Sequence, residues 1–267
     1  MAPPRIYRPV ATIAPRRQYE RHPHPHSTTV SHLDATAALH AALLHIDNAS
    51  RAAGRPGARR LAVSKTRDAA AIAAMAAAGQ RAFGENYVQE ALPKIAALRA
   101  LGLEWHLIGH LQSNKADAAA RAFDWVQTVD RDKLVAALAR QRPAELPPLN
   151  VLIQVNIDDE ASKSGCRPEA VPALAAAIAA APRLRLRGLM AIPAPVEDRA
   201  RRRAAFRAMA DLFAALAARH PGVDTLSMGM SEDYVDAIEE GATMVRIGSA
   251  LFGARPPKPV TQTEQTP

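Results

Sequence analysis

The chain reads as an α/β protein, a single (β/α)8 TIM-type barrel with one extra N-terminal helix. Short apolar runs bounded by turn residues recur about eight times, which is the strand count of a closed barrel. Each gap between them holds an alanine- and leucine-rich stretch with apolar positions at helical spacing. A length of 267 residues suits one such domain, and the gaps are too short for an inserted one. The alternative is an open, doubly wound sheet, but no glycine-rich dinucleotide turn follows the first strand, where Ser64-Lys65-Thr66 stands instead.

In chain order, residues 1–30 are rich in Pro, Arg, His and Thr without hydrophobic period, the composition of a disordered basic extension. His22, His24 and His26 alternate with prolines there, a pattern with adventitious metal affinity rather than a metal site. From Asp34 to Ala53, Leu39, Leu43, Leu44 and Ile46 predict a helix that the run Gly54-Arg55-Pro56-Gly57 ends. The predicted strands are Leu61–Ser64, Arg81–Gly84, Trp105–Gly109, Trp125–Val129, Val151–Asn156, Leu186–Met190, Leu226–Met228 and Met244–Ile247. The helices between them are Ala69–Ala78, Tyr87–Arg99, Ser113–Ala122, Arg131–Arg140, Pro168–Ala180, Asp198–Arg219 and Glu232–Glu239. The barrel thus occupies residues 31–255, and residues 256–267 form a disordered tail rich in Pro, Thr and Gln.

Composition narrows the function classes. Apolar residues make up 48% and aromatics only 4%, so the core is built of Leu, Val, Ile and Ala. The net charge of +8 is concentrated at the ends: five arginines against Glu20 in residues 1–30, and Arg255 and Lys258 against Glu264 in residues 254–267. The body carries only the remaining +3 and lacks interleaved aromatics, which excludes a nucleic-acid surface. Arg199 to Arg203 open a helix and read as a solvated face. One cysteine, Cys166, rules out an intramolecular disulfide or a multi-cysteine metal site and suits a reducing cytoplasm. No membrane span and no secretory signal are expected.

The polar residues gather where a barrel has its active-site mouth, at the C-terminal strand ends. The first strand delivers Lys65. The chain carries 28 arginines and six lysines, so a position needing only a solvated charge would be expected to hold arginine. A partly desolvated lysine can give up its proton and attack a carbonyl, which arginine cannot. The last strand ends in Arg246-Ile247-Gly248-Ser249 and the seventh loop reads Ser227-Met-Gly-Met-Ser231. The loops after strands seven and eight are the usual phosphate site of this fold, and free amides at a helix start bind phosphate. A lysine and a phosphate cup on one rim suit pyridoxal 5′-phosphate (PLP) or a phosphosugar on a Schiff-base aldolase. An aldolase needs poised acid and base carboxylates, for which Glu85 and Asp158 are the candidates. Arg246 favours the pyridoxal reading, since an arginine suits a pyridine nitrogen kept unprotonated.

At these residues the chain resembles the pyridoxal phosphate homeostasis proteins, the YggS-like family, whose fold is that of the barrel domain of alanine racemase. The likeness runs from Leu61 to Arg255 through Ala-Val-Ser-Lys-Thr (62–66), Phe-Gly-Glu-Asn-Tyr-Val-Gln-Glu (83–90), Trp-His-Leu-Ile-Gly-His-Leu-Gln-Ser-Asn-Lys (105–115), Val-Asn-Ile (155–157), Ser-Lys-Ser-Gly (162–165), Arg-Gly-Leu-Met-Ala-Ile-Pro (187–193), Leu-Ser-Met-Gly-Met-Ser-Glu-Asp (226–233) and Met-Val-Arg-Ile-Gly-Ser-Ala-Leu-Phe-Gly (244–253). The resemblance implies that Lys65 forms the aldimine, Asn86 lies beside the cofactor ring, Arg246 faces the pyridine nitrogen, and Ser231, Gly248 and Ser249 hold the phosphate. Ser249 stands where many relatives have threonine. Lys163 reads as a mobile surface lysine or a secondary amine, Tyr87 reads as a packing residue, and Trp105 and His106 read equally as strand packing or as functional residues.

The expected function is PLP homeostasis, meaning storage, delivery or buffering of the cofactor through a reversible Schiff base on Lys65. No catalytic residue and no metal are assigned. The expected partners are PLP and PLP-dependent apoenzymes, with no nucleic acid or membrane, and the protein is expected to be a monomer or weak dimer in the cytoplasm. The alternative is a PLP-dependent amino-acid racemase. Against it, such an enzyme needs a base on each face of its substrate, and only Gly253 to Pro267 follow the phosphate loop.

Overall fold

The computed structural model describes residues 32–160 and 163–253. The expectations for residues 1–30 and 256–267 lie outside the described residues. Eight strands close into one barrel in sequence order: β1 (Arg59–Val63), β2 (Ala82–Glu85), β3 (Glu104–Leu107), β4 (Trp125–Val129), β5 (Leu149–Val155), β6 (Leu184–Ala191), β7 (Thr225–Met230) and β8 (Met244–Ile247). Every neighbouring pair is parallel, and β8 closes on β1 with Arg59 opposite Met244 and Leu61 opposite Arg246.

The helices alternate with the strands: α1 (His32–Ala52), α2 (Ala69–Ala77), α3 (Val88–Ala97), α4 (Ala116–Ala122), α5 (Asp132–Gln141), α6 (Val171–Ala179), α7 (Arg199–Ala217), α8 (Tyr234–Glu239) and the single turn α9 (Ser249–Phe252). Single 3₁₀ turns follow α3 and precede α4 and α6, which shortens three of the helices expected from periodicity. Helix α1 packs on α2, α8 and α9. Its buried stripe is Ala35, Leu39, Ala42 and Ile46, while Leu44, expected on that stripe, is 56% exposed.

Two hydrophobic layers result. The large one joins strand residues such as Phe83, Val126 and Val245 to helix residues such as Met75, Leu134, Ile178 and Phe206. The lumen holds two small clusters of strand-side residues, Leu61 with Ala82, Ile108 and Met244, and Trp125 with Leu152 and Met190. Register shifts between β5 and β6 accompany a close backbone approach at Gly188, which has φ 143°. A Cβ there would lie 1.9 Å from the Thr225 carbonyl oxygen, so no other residue fits.

The arginines opening α7 differ from the solvated face expected of them. Arg199 and Arg202 pair with the buried Asp236 of α8 at 2.7 Å, and Arg203 and Arg207 pair with the buried Glu240 at 2.7 and 2.9 Å. The carboxylates that neutralise them arrive about one turn apart on the next helix, a pairing that spacing within α7 alone does not reveal. Among the described residues no helix is long and apolar enough to cross a membrane.

Candidate functional site

A cleft of about 530 Å³ opens at the C-terminal ends of β1, β6, β7 and β8, well within the size range of small-ligand sites. Its lining includes Lys65, Ser231, Arg246, Gly248 and Ser249. Five of the six residues singled out in the sequence therefore share one cavity. The sixth, Asn86, stands half-buried at the end of β2 and is not part of the lining. Its backbone is pressed against Gly109, where a Cβ would fall 2.0 Å from the Asn86 carbonyl oxygen.

Lys65 is half-buried and follows the last ladder contact of β1, in which Ser64 N donates to Gly84 O at 2.9 Å. A tight turn comes next: Arg67 N donates to Ser64 O at 3.0 Å, and Thr66 sits at φ 66°. Left-handed backbone at a β-branched residue costs of order 1–3 kcal/mol and persists only where the surroundings enforce it. Here Asp68 caps α2 by accepting from Ala71 N at 2.8 Å, and Arg67 donates to Gly253 O at 2.7 Å. The turn is thus tied on one side to α2 and on the other to the end of α9.

Beneath the lysine lies a buried ion pair that sequence reasoning missed. Glu85 is fully buried and takes both carboxylate oxygens to Lys94 Nζ, at 2.9 and 3.0 Å. Lys94 also donates to Ser64 O at 3.2 Å, and Ser64 Oγ donates to Glu85 Oε1 at 2.6 Å. Lys94 lies on α3, nine positions from its partner, so only an acidic residue ending a buried strand hinted at it. Of the two candidate acid–base carboxylates, Glu85 is committed to this pair, while Asp158 accepts from Ala194 N.

Arg246 reaches the cleft from within β8 although only 3% of its surface is exposed. Nη1 donates to Ser227 O at 2.9 Å and Ser227 Oγ at 2.8 Å, and Nη2 donates to Ala191 O at 2.8 Å. Nε makes no hydrogen bond among the described residues. Burial lowers its pKa to about 10, partly opposed by the charge of Asp233, so the guanidinium stays charged at neutral pH.

The residues expected to hold a phosphate line the same cleft. Gly248 N points to Ser231 Oγ at 3.4 Å, and the amides that open α9 have no acceptor within their own helix. The apolar side of the cleft is Val63, Ile192, Pro193, Pro195 and Met230, which the sequence did not single out. Lys163 also lines the cleft, with Nζ 3.2 Å from Glu160, 3.7 Å from Asp158 and 3.4 Å from Ile192 O.

Three packing expectations resolve differently. Trp105 does pack, its ring 5.8 Å from that of Phe83. Tyr87 precedes α3 with 59% of its surface exposed and is no packing residue. His106 is fully buried but hydrogen-bonded on both ring nitrogens. Cys166 is buried and its thiol pKa is pushed up to about 11 by that burial, which leaves it unreactive.

Comparison with known proteins bears on the fold and the family. The family model described as alanine racemase, N-terminal domain, matches residues 30–256. A pyridoxal phosphate homeostasis protein of Pseudomonas aeruginosa is 58% identical over 212 residues, spanning 79% of this chain and 91% of the relative. The Escherichia coli protein of the same name is 59% identical over 198 residues, 73% of this chain and 85% of its own. Among solved structures, PipY of Synechococcus elongatus without PLP is 36% identical, with a TM-score of 0.74 over 82% of this chain and 100% of that one. PipY with PLP bound gives a TM-score of 0.70 at the same identity and coverage. Alanine racemase of Corynebacterium glutamicum, 21% identical with a TM-score of 0.56, covers 85% of this chain and 62% of its own, and shares the fold. With its closed parallel barrel and relatives above 50% identity along most of their length, the chain belongs to the pyridoxal phosphate homeostasis protein family.

Proposed function

We propose that this protein binds PLP in the cleft through a reversible Schiff base on Lys65, and stores, buffers or delivers the cofactor in the cytoplasm without appreciable turnover. The observation that carries the reading is the convergence of an amine, a buried guanidinium and a hydroxyl-and-amide cup on one cavity. The donor set fits the cofactor group by group. Lys65 suits the aldehyde. Arg246, with Nε uncommitted among the described residues, suits an unprotonated pyridine nitrogen, to which it donates. Ser231, Gly248 and Ser249 suit the phosphate, and Met230 with Ile192 and Pro193 offers an apolar wall to the ring. Asn86 is assigned beside the ring on the likeness alone.

When bound, PLP supplies an electrophilic aldehyde that exchanges between amines, and storage with delivery requires no more than this. The chain's own residues set how tightly it is held. A guanidinium that keeps the pyridine nitrogen unprotonated makes the ring a poor electron sink, which disfavours carbanion chemistry. Apoenzymes that depend on PLP are the proposed recipients.

The test begins with the absorption spectrum of the purified protein. A yellow band that borohydride fixes onto Lys65 supports the reading, and an adduct mapped chiefly to Lys163 overturns the assignment. Arg246→Glu should weaken retention and shift the band. The loaded protein should also be incubated with L-alanine and other L-amino acids in deuterated water. Formation of D-isomer at about 1 s⁻¹ or faster, a rate typical of enzymes, and lost in Lys65→Ala, would establish a racemase instead.

A further inference from the structure

Arg246 is held from below by a string of hydrogen bonds that runs through the barrel to its opposite rim. Its Nη1 donates to Ser227 Oγ at 2.8 Å, and Ser227 Oγ donates to Gln127 Oε1 at 2.8 Å. Gln127 Nε2 lies 2.9 Å from His106 Nδ1, and His106 Nε2 lies 2.7 Å from Glu104 Oε1. Glu104 Oε1 also accepts from Arg59 Nη2 at 2.8 Å. Ser227, Gln127 and His106 are all fully buried.

Donor arithmetic fixes every proton in the string. Arginine only donates, so Ser227 Oγ accepts from it. At the other end Glu104 only accepts, so a neutral His106 donates from Nε2 and accepts at Nδ1 from the Gln127 nitrogen. This leaves the Gln127 oxygen to accept from Ser227. Burial lowers the His106 pKa more than Glu104 raises it, so the ring stays neutral. Burial pushes the Glu104 pKa up, but the hydrogen bonds and charges of His106 and Arg59 outweigh it and hold the carboxyl at about 2. The ring is further clamped by stacking on Trp125, with centroids 5.1 Å apart and planes 11° off parallel. The guanidiniums of Arg59 and Arg187 stand 5.9 and 4.8 Å from the Trp125 ring.

A lumen filled with apolar side chains would avoid the desolvation of three polar groups. A single satisfiable proton arrangement, by contrast, sets orientation. We propose that Ser227, Gln127 and His106 are positioning residues for Arg246, turning a fixed edge of its guanidinium to the cleft from an anchor at Glu104 and Arg59. The inference rests on the reading of the cleft as a PLP site.

Gln127→Met removes donor and acceptor at nearly constant volume, and Ser227→Ala removes the hydroxyl alone. Both should lower PLP affinity about tenfold, the scale of one hydrogen bond to a charged group, and shift the absorption band. Gln127→Glu should make retention pH-dependent where the native protein shows a flat profile, because a carboxylate cannot donate to Nδ1. Nitrogen NMR of the cofactor-free protein supplies a separate readout: rotation of the Arg246 Nη groups should be slow in the native chain and fast in Gln127→Met. Folded variants with native affinity, band and Arg246 rotation overturn the proposal. Should both lumen variants fail to fold, Glu104→Gln on the rim decides, with a threefold loss expected and native retention overturning the idea. If the native protein takes up no PLP yet Arg246 rotation responds to Gln127→Met, the PLP reading falls and the positioning role stands.

Discussion

The two sides of the sheet follow different rules. Outside, between strands and helices, the packing is a continuous layer of Ala, Leu, Val, Ile, Met and Phe. Inside, two small apolar clusters are separated by His106, Gln127, Ser227 and Arg246, all buried. The outer layer obtains its stability from area removed from water, which is non-directional and tolerates exchange of one apolar residue for another of similar volume. The lumen has far less apolar area to offer, and its polar side chains are directional. The difference teaches that stability and site geometry are supplied by different faces of the same strands, so single substitutions should separate them.

The largest separation is expected from Lys65→Ala. This half-exposed side chain at the mouth contributes little packing, so borohydride-fixable cofactor should vanish while the thermal unfolding midpoint measured without cofactor shifts little. A large loss of stability in the variant would break the division of labour. Phe206→Ala should do the opposite. Phe206 is fully buried in the outer layer, and its truncation should cost about 3–5 kcal/mol in denaturant unfolding, with PLP affinity of the folded fraction unchanged. An affinity change there would mean that outer packing also sets the cleft.

Acidification should sharpen the comparison, because the two titrating groups in the string are His106 inside the lumen and Glu104 at its rim. The folded-state pKa values of His106 and Glu104 are depressed. Each group's contribution is therefore complete above its unfolded value, about 6.5 and 4.5, and is lost as pH falls below it. Unfolding measured from pH 7 downward should show stability declining below pH 6.5, and again between pH 4.5 and 2. His106→Asn should remove the first decline, and its persistence would place the proton uptake elsewhere. The smallest effect is expected at Cys166. Its buried thiol, with a pKa of about 11, should resist a thiol-reactive reagent at pH 8, and retention of PLP should be unaffected by the treatment. Rapid labelling in the native state would show that the β5 loop opens.

What could be read in the sequence was what is local. A lysine just past a short strand that ends Leu-Ala-Val, or a Gly-Ser step at a helix start, carries its meaning within a few positions, and five of the six expected site residues do line one cleft. The lumen string was illegible for a different reason. Gln127 and Thr128 are adjacent and both buried, and only the closed barrel shows that Gln127 meets His106 and Ser227 while Thr128 donates to Gly109 O. The Arg246–Ser227 contact is hidden as well, since it crosses the ladder: Ser227 pairs with Met244, and a register shift then brings Met230 opposite Arg246. The Glu85–Lys94 pair joins a strand end to the third turn of a helix, a separation with no periodic signature.

That pair bears on selectivity. An aldehyde condenses with whichever amine offers an electron pair, and Lys94 of α3 is a second amine, hydrogen-bonded to Ser64 O just before Lys65. Its ammonium group directs bonds to Glu85 Oε1, Glu85 Oε2 and Ser64 O, three acceptors for three protons. A bond from an aldehyde to Lys94 Nζ would break this set of contacts and leave a fully buried carboxylate without its partner. On the PLP reading proposed above, Glu85 and Ser64 occupy this amine as a chemist's protecting group occupies one functional group of a molecule. A chain with six lysines among 28 arginines has few amines to occupy, and this one is held by Glu85 and by the carbonyl just before Lys65.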